Sequence, residues 1–403
     1  MASKARFGRG RKGRSGAPPA ITPPAGKYVA TNGNDNNLGT FDQPWRTLTY
    51  AVQQLVPGDA LYVRAGTYAE DLDGMIAPGT SWALPVRVIG YAAETVWLAP
   101  TSGSHVLHFT GTQQYIEVNR INLNGSLGIG SDTVKIEQNP GNYPHHIRLT
   151  TLELIGNPTQ AADFLDSPHG VLNSPSSTAV FGDITGSNEF LNLQIHGTAA
   201  YGLYIGTPSN LIQNCEIYDT HGFGIHLFSD DFAQAPSNNT INRNEIHDIL
   251  AGADRTRGML FNGTGNLIMN NIVYNLQTSS FVRGIEPYTA SVNARVYHNT
   301  VYGTPQDGIY NQGSGSLIKN NISYGNSGSN FVEAGSGSTV SNNSWQAPVS
   351  NANPLFVNVG AANFHLQAGS PCVDVGVSLA DVTADFDSVA RANPPDLGAY
   401  EQV

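Results

Sequence analysis

Five pentapeptides in the second half of the chain begin with one variable residue followed by Gly: YGLYI (201–205), FGIHL (223–227), RGMLF (257–261), RGIEP (283–287) and DGIYN (307–311). NFVEA (330–334) aligns with them without its Gly. In an extended strand successive side chains alternate between faces. Leu203, Ile225, Met259, Ile285, Ile309 and Val332 then point inward, and Tyr204, His226, Leu260, Glu286, Tyr310 and Glu333 face solvent. Arg257, Arg283 and Asp307 stand just before the Gly, at a turn where strict parity is relaxed.

A His, two Arg and two acids within reach of one another have two chemical uses. Proton abstraction α to a carboxylate needs a base and a cation to neutralise that carboxylate. His226 or Tyr310 supplies the base, and Arg257 or Arg283 the cation. Glycosidic hydrolysis needs two carboxylates flanking the bond, roughly 5–9.5 Å apart. Glu286 with Asp307 or Glu333 is the nearby supply. The candidate catalytic set is therefore His226, Arg283, Glu286 and Asp307, with Tyr204, Arg257, Tyr310, Asp230 and Asp231 as candidate substrate contacts. Each has a structural alternative: Arg283 and Asp307 as a surface ion pair between neighbouring strands, His226 as an ordinary strand residue, Asp230 and Asp231 as loop solvation. No Asp-rich calcium loop and no His/Cys metal cluster stands out. His145, His146 and His169 fall in long insertions and read as loop surface.

What must position these side chains is a repeat. Asn244, Asn271, Asn299, Asn321 and Asn343 form a column, with Cys215 in the preceding slot, at spacings of 29, 27, 28, 22 and 22 residues. Periods of roughly 20–50 residues mark a solenoid. LIKNNISY (317–324) has strand composition, and no unit holds ten residues at helical periodicity. Rungs of strands and turns alone indicate an all-β, single-stranded parallel β-helix, with coils stacked about 4.8 Å apart. A turn Asn can then bond the Asn above and below it, so the column is structural. It extends backwards through Leu193, Thr150 and Asn119, giving a stack roughly 50 Å long.

The 22-residue rung is lengthened after Gly224 (FSDDFAQAPSNN) and before Gly258 and Gly284 (ILAGADRTR and NLQTSSFVR). Insertions on both edges of one strand column wall a groove. An elongated groove with aromatics and a few charges suits a glycan, whose sugar faces stack on Tyr.

Composition bounds the alternatives. The 403 residues include 44 Gly and 23 Pro and are 13% charged, as a turn-dense β chain should be. Seven of the 20 Lys and Arg fall in residues 1–27, which hold no acid; the remainder carries 13 bases against 31 acids, a net of −18. That body repels nucleic acid and anionic membranes. Nucleic acid is a partner only through residues 1–27, a Gly/Arg/Pro-rich arm that is disordered when free or orders on an acidic surface. The arm has no apolar segment of a secretion signal, and no apolar run is long enough to span a membrane. Cys215 and Cys372 read as buried thiols, a single disulfide being the alternative.

Past the arm, Pro44 suits a first helical position, and Trp45, Leu48, Val52 and Leu55 mark one face of a helix of about three turns. A solenoid needs its open end covered, and this amphipathic helix is the expected lid. Here the chain resembles the pectate-lyase-like superfamily of right-handed parallel β-helix proteins. The resemblance rests on the opening YVATNGNDNNLG (28–39), the Pro44-Trp45 helix start and PGDALYVRAGTY (57–68). It rests equally on NPLFVN (353–358), FHLQAGSPCVDVG (364–376), DFD (385–387) and DLGAYE (396–401). It implies a fold running from residue 28 onward, divided as first coils (28–100), rungs (101–346) and a closing segment (347–403). It also implies that calcium is a cofactor to look for, although no motif here indicates one. The superfamily includes lyases, hydrolases, epimerases and noncatalytic spikes, so the resemblance does not choose an activity. Two functional classes follow: a virion- or surface-attached spike, fixed to virion proteins by its basic arm, that binds and cleaves polysaccharide or cell-surface glycan; and an extracellular polysaccharide lyase or glycoside hydrolase. A noncatalytic decoration protein is the third reading.

Overall fold

The computed structural model describes residues 23–138, 144–159, 167–175, 186–229, 236–252 and 255–402. Residues 1–22 of the basic arm, and Asp230 and Asp231, lie outside the described residues. Three long parallel sheets make up the body, of 12, 10 and 10 strands. One coil contributes one strand to each: Leu317–Lys319 to the first sheet, Ile322–Tyr324 to the second and Phe331–Glu333 to the third. The next coil begins at Thr339–Ser341, back in the first sheet, where Leu317 aligns with Thr339 and Ile318 with Val340. Every strand in these three sheets pairs with its equivalent one coil away. The core is therefore a continuous column of Val, Ile, Leu and Phe running from Val29 to Ile318.

The corner between the first and second sheets explains the Asn column. The backbone N–H of Asn244 donates to Oδ1 of Asn271 (2.9 Å), that of Asn271 to Asn299 (3.0 Å), Asn299 to Asn321 (2.9 Å) and Asn321 to Asn343 (2.9 Å). Each side-chain amide also donates to the next Oδ1 and to a strand carbonyl, as Asn271 does to Ile241 at 3.0 Å. The ladder asparagines are all buried. A turn that would otherwise bury unpaired peptide groups is thereby satisfied. The residue before each slot turns the corner in left-handed backbone, with φ of 54° at Asn270 and 60° at Asn320. That residue fixes the register further back: Arg120, Thr151 and Asn192 also have positive φ, so the buried slot is Ile121, Leu152 and Leu193. Leu193 was correctly placed; Asn119 and Thr150 sit two residues early, because the slot there is filled by apolar residues.

A second ladder occupies the corner entering the first sheet. The N–H of Ile147 meets Asn188 (2.9 Å), Asn188 meets Asn210 (2.9 Å), Asn210 meets Asn239 (2.8 Å) and Asn239 meets Asn266 (2.8 Å). Its signal in the sequence is an Asn five residues ahead of the slots at 193, 215, 244 and 271.

The helix near the start is Leu48–Gln53, six residues and half the expected length. Trp45 is taken instead by a bridge to Val29, so Pro44 precedes the helix and Thr47 caps it. Glu70 accepts from the N–H groups of Leu48 (3.0 Å) and Thr49 (2.8 Å), tying the helix to the first coil. Leu48, Ala51, Val52 and Leu55 enter the same core cluster as Leu61, Val63 and Leu72.

The closing segment runs along the outside of the last coils. A hairpin of Phe356–Asn358 and Asn363–Leu366 packs with Cys372, Leu397 and Tyr400 against Tyr274, Tyr302 and Tyr324 on the outer second sheet. Leu379 and Val382 cover Leu267 and Tyr297 on the first. Both thiols are buried and free, without a disulfide. The closing segment thus covers outer faces of the first and second sheets, and the third sheet carries the candidate site.

Candidate functional site

Register makes the outer third sheet a single column of side chains. His108 aligns with Lys135, Lys135 with Leu172, Leu172 with Tyr204, Tyr204 with His226, His226 with Leu260 and Leu260 with Glu286. The corner residues just ahead of the strands form a parallel column in which Phe223, Arg257, Arg283 and Asp307 align in turn. Leu203, Ile225, Met259, Ile285 and Ile309 are fully buried, as the alternation requires. The last rung differs by one residue. Ile309 aligns with Phe331 and Tyr310 with Val332, so Phe331 faces the core, where it stacks on Trp345 at 4.9 Å. The rung therefore starts one residue earlier than NFVEA suggested, at Ser329, with no Gly to mark its start. Glu333 consequently aligns with Asn311, whose amide donates to it at 2.8 Å, and leaves the column of candidates.

Glu286 is not a free carboxylate. It is fully buried, and accepts from Arg257 Nε, Arg283 Nη1 and Gln312 Nε2. Arg257 is 4% exposed and donates through Nη1 to the carbonyls of Thr256 and Phe281. Burial works against the Arg257 charge and Glu286 supports it; the net displacement is downward from the ordinary guanidinium value. Arg283 keeps more of its surface, with its guanidinium 3.4 Å from the centre of the Tyr310 ring. The expected Arg283–Asp307 ion pair is absent. Arg283 turns to Glu286, three residues on in its own strand, and Asp307 Oδ1 accepts from the Ser329 N–H at 3.0 Å. Asp307 therefore supports a loop. The cluster of two guanidinium groups and one carboxylate is left with one positive charge in excess.

Two coils back, His226 is 7% exposed inside an aromatic box. Tyr204 stacks on it at 4.7 Å and Phe228 at 5.0 Å, while Tyr201 (4.9 Å) and Phe223 (4.7 Å) approach edge-on. Burial, then the charges of His169, Arg255 and Arg257, hold its pKa well below the ordinary histidine value. The ring is neutral near pH 7, and its buried Nδ1 has no hydrogen-bond partner.

The box continues to a residue the sequence placed on a loop surface. His169 is buried, with its ring 5.6 Å from Tyr204 and 5.2 Å from Tyr201. Its Nδ1 lies 2.8 Å from Asp132 Oδ1, which also accepts the His169 backbone N–H at 2.9 Å. Burial opposes ionisation of Asp132, but the His169 hydrogen bonds and charge outweigh it and hold the carboxyl below the usual range. The signal for His169 was present in HGVLN (169–173): another variable residue followed by Gly, with Val171 aligned with Leu203. Asp132 stands at the same offset before Val134. His145 and His146 are half-buried beside Tyr115 and Trp82, away from this face.

Among the described residues no three His, Cys, Asp or Glu side chains converge as a metal-binding set. The buried carboxylate of the site is saturated by guanidinium and amide donors. These residues do not fit a calcium ion. A cavity of about 620 Å³ opens elsewhere, beside Arg64, Glu94 and Phe41 of the first coils. Among the described residues no helix is long and apolar enough to cross a membrane.

The architecture has known counterparts. A family described as "Right handed beta helix region" matches residues 179–345, and a protein family of unknown function (DUF1565) matches residues 31–75. Over 94% of this chain and 97% of the other, the fold superposes on the crystal structure of pectate lyase Pel9A with a TM-score of 0.62 at 16% identity. It superposes on GH136 lacto-N-biosidase from Eubacterium ramulus with a TM-score of 0.54 at 14% identity, over 79% of this chain and 67% of that one. Pectate lyase PEL9 of Emericella nidulans is 32% identical over 69 residues, 17% of each chain. The chain spans 16% and 17% of the length of the curated relatives it matches. The protein folds as a right-handed parallel β-helix.

Proposed function

We propose that the outer third sheet binds a polysaccharide along the solenoid axis and depolymerises acidic chains by β-elimination. The observation that carries this reading is the excess positive charge at Arg257, Arg283 and Glu286, with half-buried Tyr310 against Arg283 and half-buried Tyr204 three coils away on the same sheet, on a chain of net charge −11. A uronate carboxylate has a cation to meet there, and sugar faces have rings to stack on. Elimination is favoured over hydrolysis because Glu286 is neutralised and Asp307 is committed to Ser329, which leaves no pair of free carboxylates of the expected set. The similarity in fold to pectate lyase Pel9A is consistent with this reading. The basic residues 1–27 support a further proposal, that the protein is fixed to an acidic partner, virion or cell surface, through that stretch.

The test is a screen of acidic and neutral polysaccharides for binding and for unsaturated uronate ends, read by ultraviolet absorbance. Acidic chains should be bound and cut, and Arg283→Ala and His226→Ala should each abolish cutting while the fold survives. Full activity in both variants removes the site assignment. Failure to bind any polysaccharide removes the reading and favours a decoration protein.

A further inference from the structure

We infer that the cavity of about 620 Å³ beside Arg64 is a second binding site, built for an uncharged saccharide unit. Its size falls within the range of about 300–1,000 Å³ usual for small-molecule sites. It lies in the first coils, seven coils before the strand of Arg283, or roughly 34 Å at about 4.8 Å per coil. The cavity is therefore separate from the outer third sheet.

One wall is the loop of residues 30–44, and its shape is fixed from within. Asp35 Oδ1 accepts the N–H groups of Arg46 (2.8 Å) and Thr47 (3.0 Å), the Asn37 amide donates to the Pro44 carbonyl (2.9 Å), and Trp45 Nε1 donates to the Asn37 carbonyl (2.9 Å). A Cβ at Gly33 would lie 2.1 Å from the Trp45 carbonyl oxygen, so only Gly fits there. The other wall is Arg64. Its guanidinium stands 4.8 Å from the ring centre of Phe41 and 4.9 Å from that of Tyr91, and Glu94 on the next coil accepts from its Nε (3.0 Å) and Nη2 (2.9 Å). Walls set in advance reduce the ordering cost of binding.

Charge selects the class of ligand. Arg64 and Glu94 cancel, and Asp42, which is exposed and lines the cavity, has no hydrogen bond or ion pair among the described residues. One positive and two negative charges leave the cavity at −1, so uronates and phosphates are repelled. An amine would satisfy Asp42 but would face the Nη1 donors of Arg64, which Glu94 does not use. A neutral polyol uses both groups. Its hydroxyls donate to the Asp42 carboxylate and accept from Arg64 Nη1, the Asn32 amide does either, and Phe41 offers apolar surface to the C–H face of a sugar ring.

The experiment is titration calorimetry of the full chain with glucose, galactose, mannose and N-acetylglucosamine, with galacturonate as the anionic probe and spermidine as the cationic one. At least one neutral sugar should bind, and galacturonate should not displace it. Asp42→Ala removes an exposed, unpartnered side chain, so it should leave thermal unfolding unchanged while lowering the affinity about ten- to hundredfold, as expected for loss of a hydrogen bond to a charged group. Asn32→Ala should lower it less. Arg283→Ala should leave this binding unchanged, and Asp42→Ala should leave any cleavage of acidic polysaccharide unchanged, so failure of one site is distinguished from failure of the other. Absence of binding by every neutral sugar, unaltered affinity in Asp42→Ala, displacement by galacturonate, loss of binding in Arg283→Ala, or binding of spermidine alone overturns the assignment.

Discussion

Glu286 and Arg257 lie on adjacent coils, and the Arg257 guanidinium donates through Nε to a carboxylate sealed from water. Arg283 completes the arrangement from three residues upstream in the same strand. Removing one partner of a buried ion pair leaves an uncompensated charge, which costs about 3–5 kcal/mol. Glu286→Gln strands two guanidinium groups, so urea unfolding should show a loss of that size. A loss below about 1 kcal/mol would mean that the carboxylate is open to solvent.

The ladder of asparagines makes a second mechanical demand. Asn271→Ala deprives the Asn244 N–H and side-chain amide of their acceptor, and the Ile241 carbonyl of a donor. Each buried orphan costs about 1–3 kcal/mol. Chemical denaturation should therefore show a loss of about 3 kcal/mol or more, without a change in glycan specificity.

Acid should weaken the fold before it protonates the carboxylates. Burial depresses both His226 and His298 far below the ordinary value of 6.5. Once the pH falls below 6.5 the unfolded chain protonates these two sites while the folded chain leaves them neutral, and burial lowers His105, His145 and His146 in the same direction. The stability contribution is full above 6.5 and declines with falling pH, by up to about 1.4 kcal/mol per unit for each histidine. His226→Phe keeps a flat ring between Tyr204 and Phe228 and should reduce this slope by up to about 1.4 kcal/mol per unit, measured as unfolding free energy between pH 7 and pH 5.

Arg283 presents its face to Tyr310 at 3.4 Å and its edge to Glu286. Arg283→Lys keeps the charge and loses the planar stack and fork. KM for an acidic polysaccharide should rise several-fold while kcat changes less, since a cation–π contact of this kind contributes about 0.5–2 kcal/mol.

The fold was legible because ladders print themselves as a column: Asn271, Asn299 and Asn321 declare both the period and the face they share. The alternation of RGIEP and DGIYN likewise gave the inward Ile285 and Ile309. Charge partners were harder to read. Asp307 aligns with Arg283 in the backbone, yet a side chain as long as Arg reaches Glu286 in its own strand, and register does not decide between them. The Asp132–His169 pair was hidden for another reason. The two residues are 37 positions apart across a lengthened coil, so the regular spacing that exposed the other columns was lost, although the His-Gly-Val run was present.

The most direct test of the central claim is a crystal structure with an acidic oligosaccharide bound. The sugar chain should lie along the outer third sheet, with a carboxylate at Arg283 and a ring over Tyr310 or Tyr204. An oligosaccharide seated instead in the cavity beside Arg64, or on the second sheet, would contradict it.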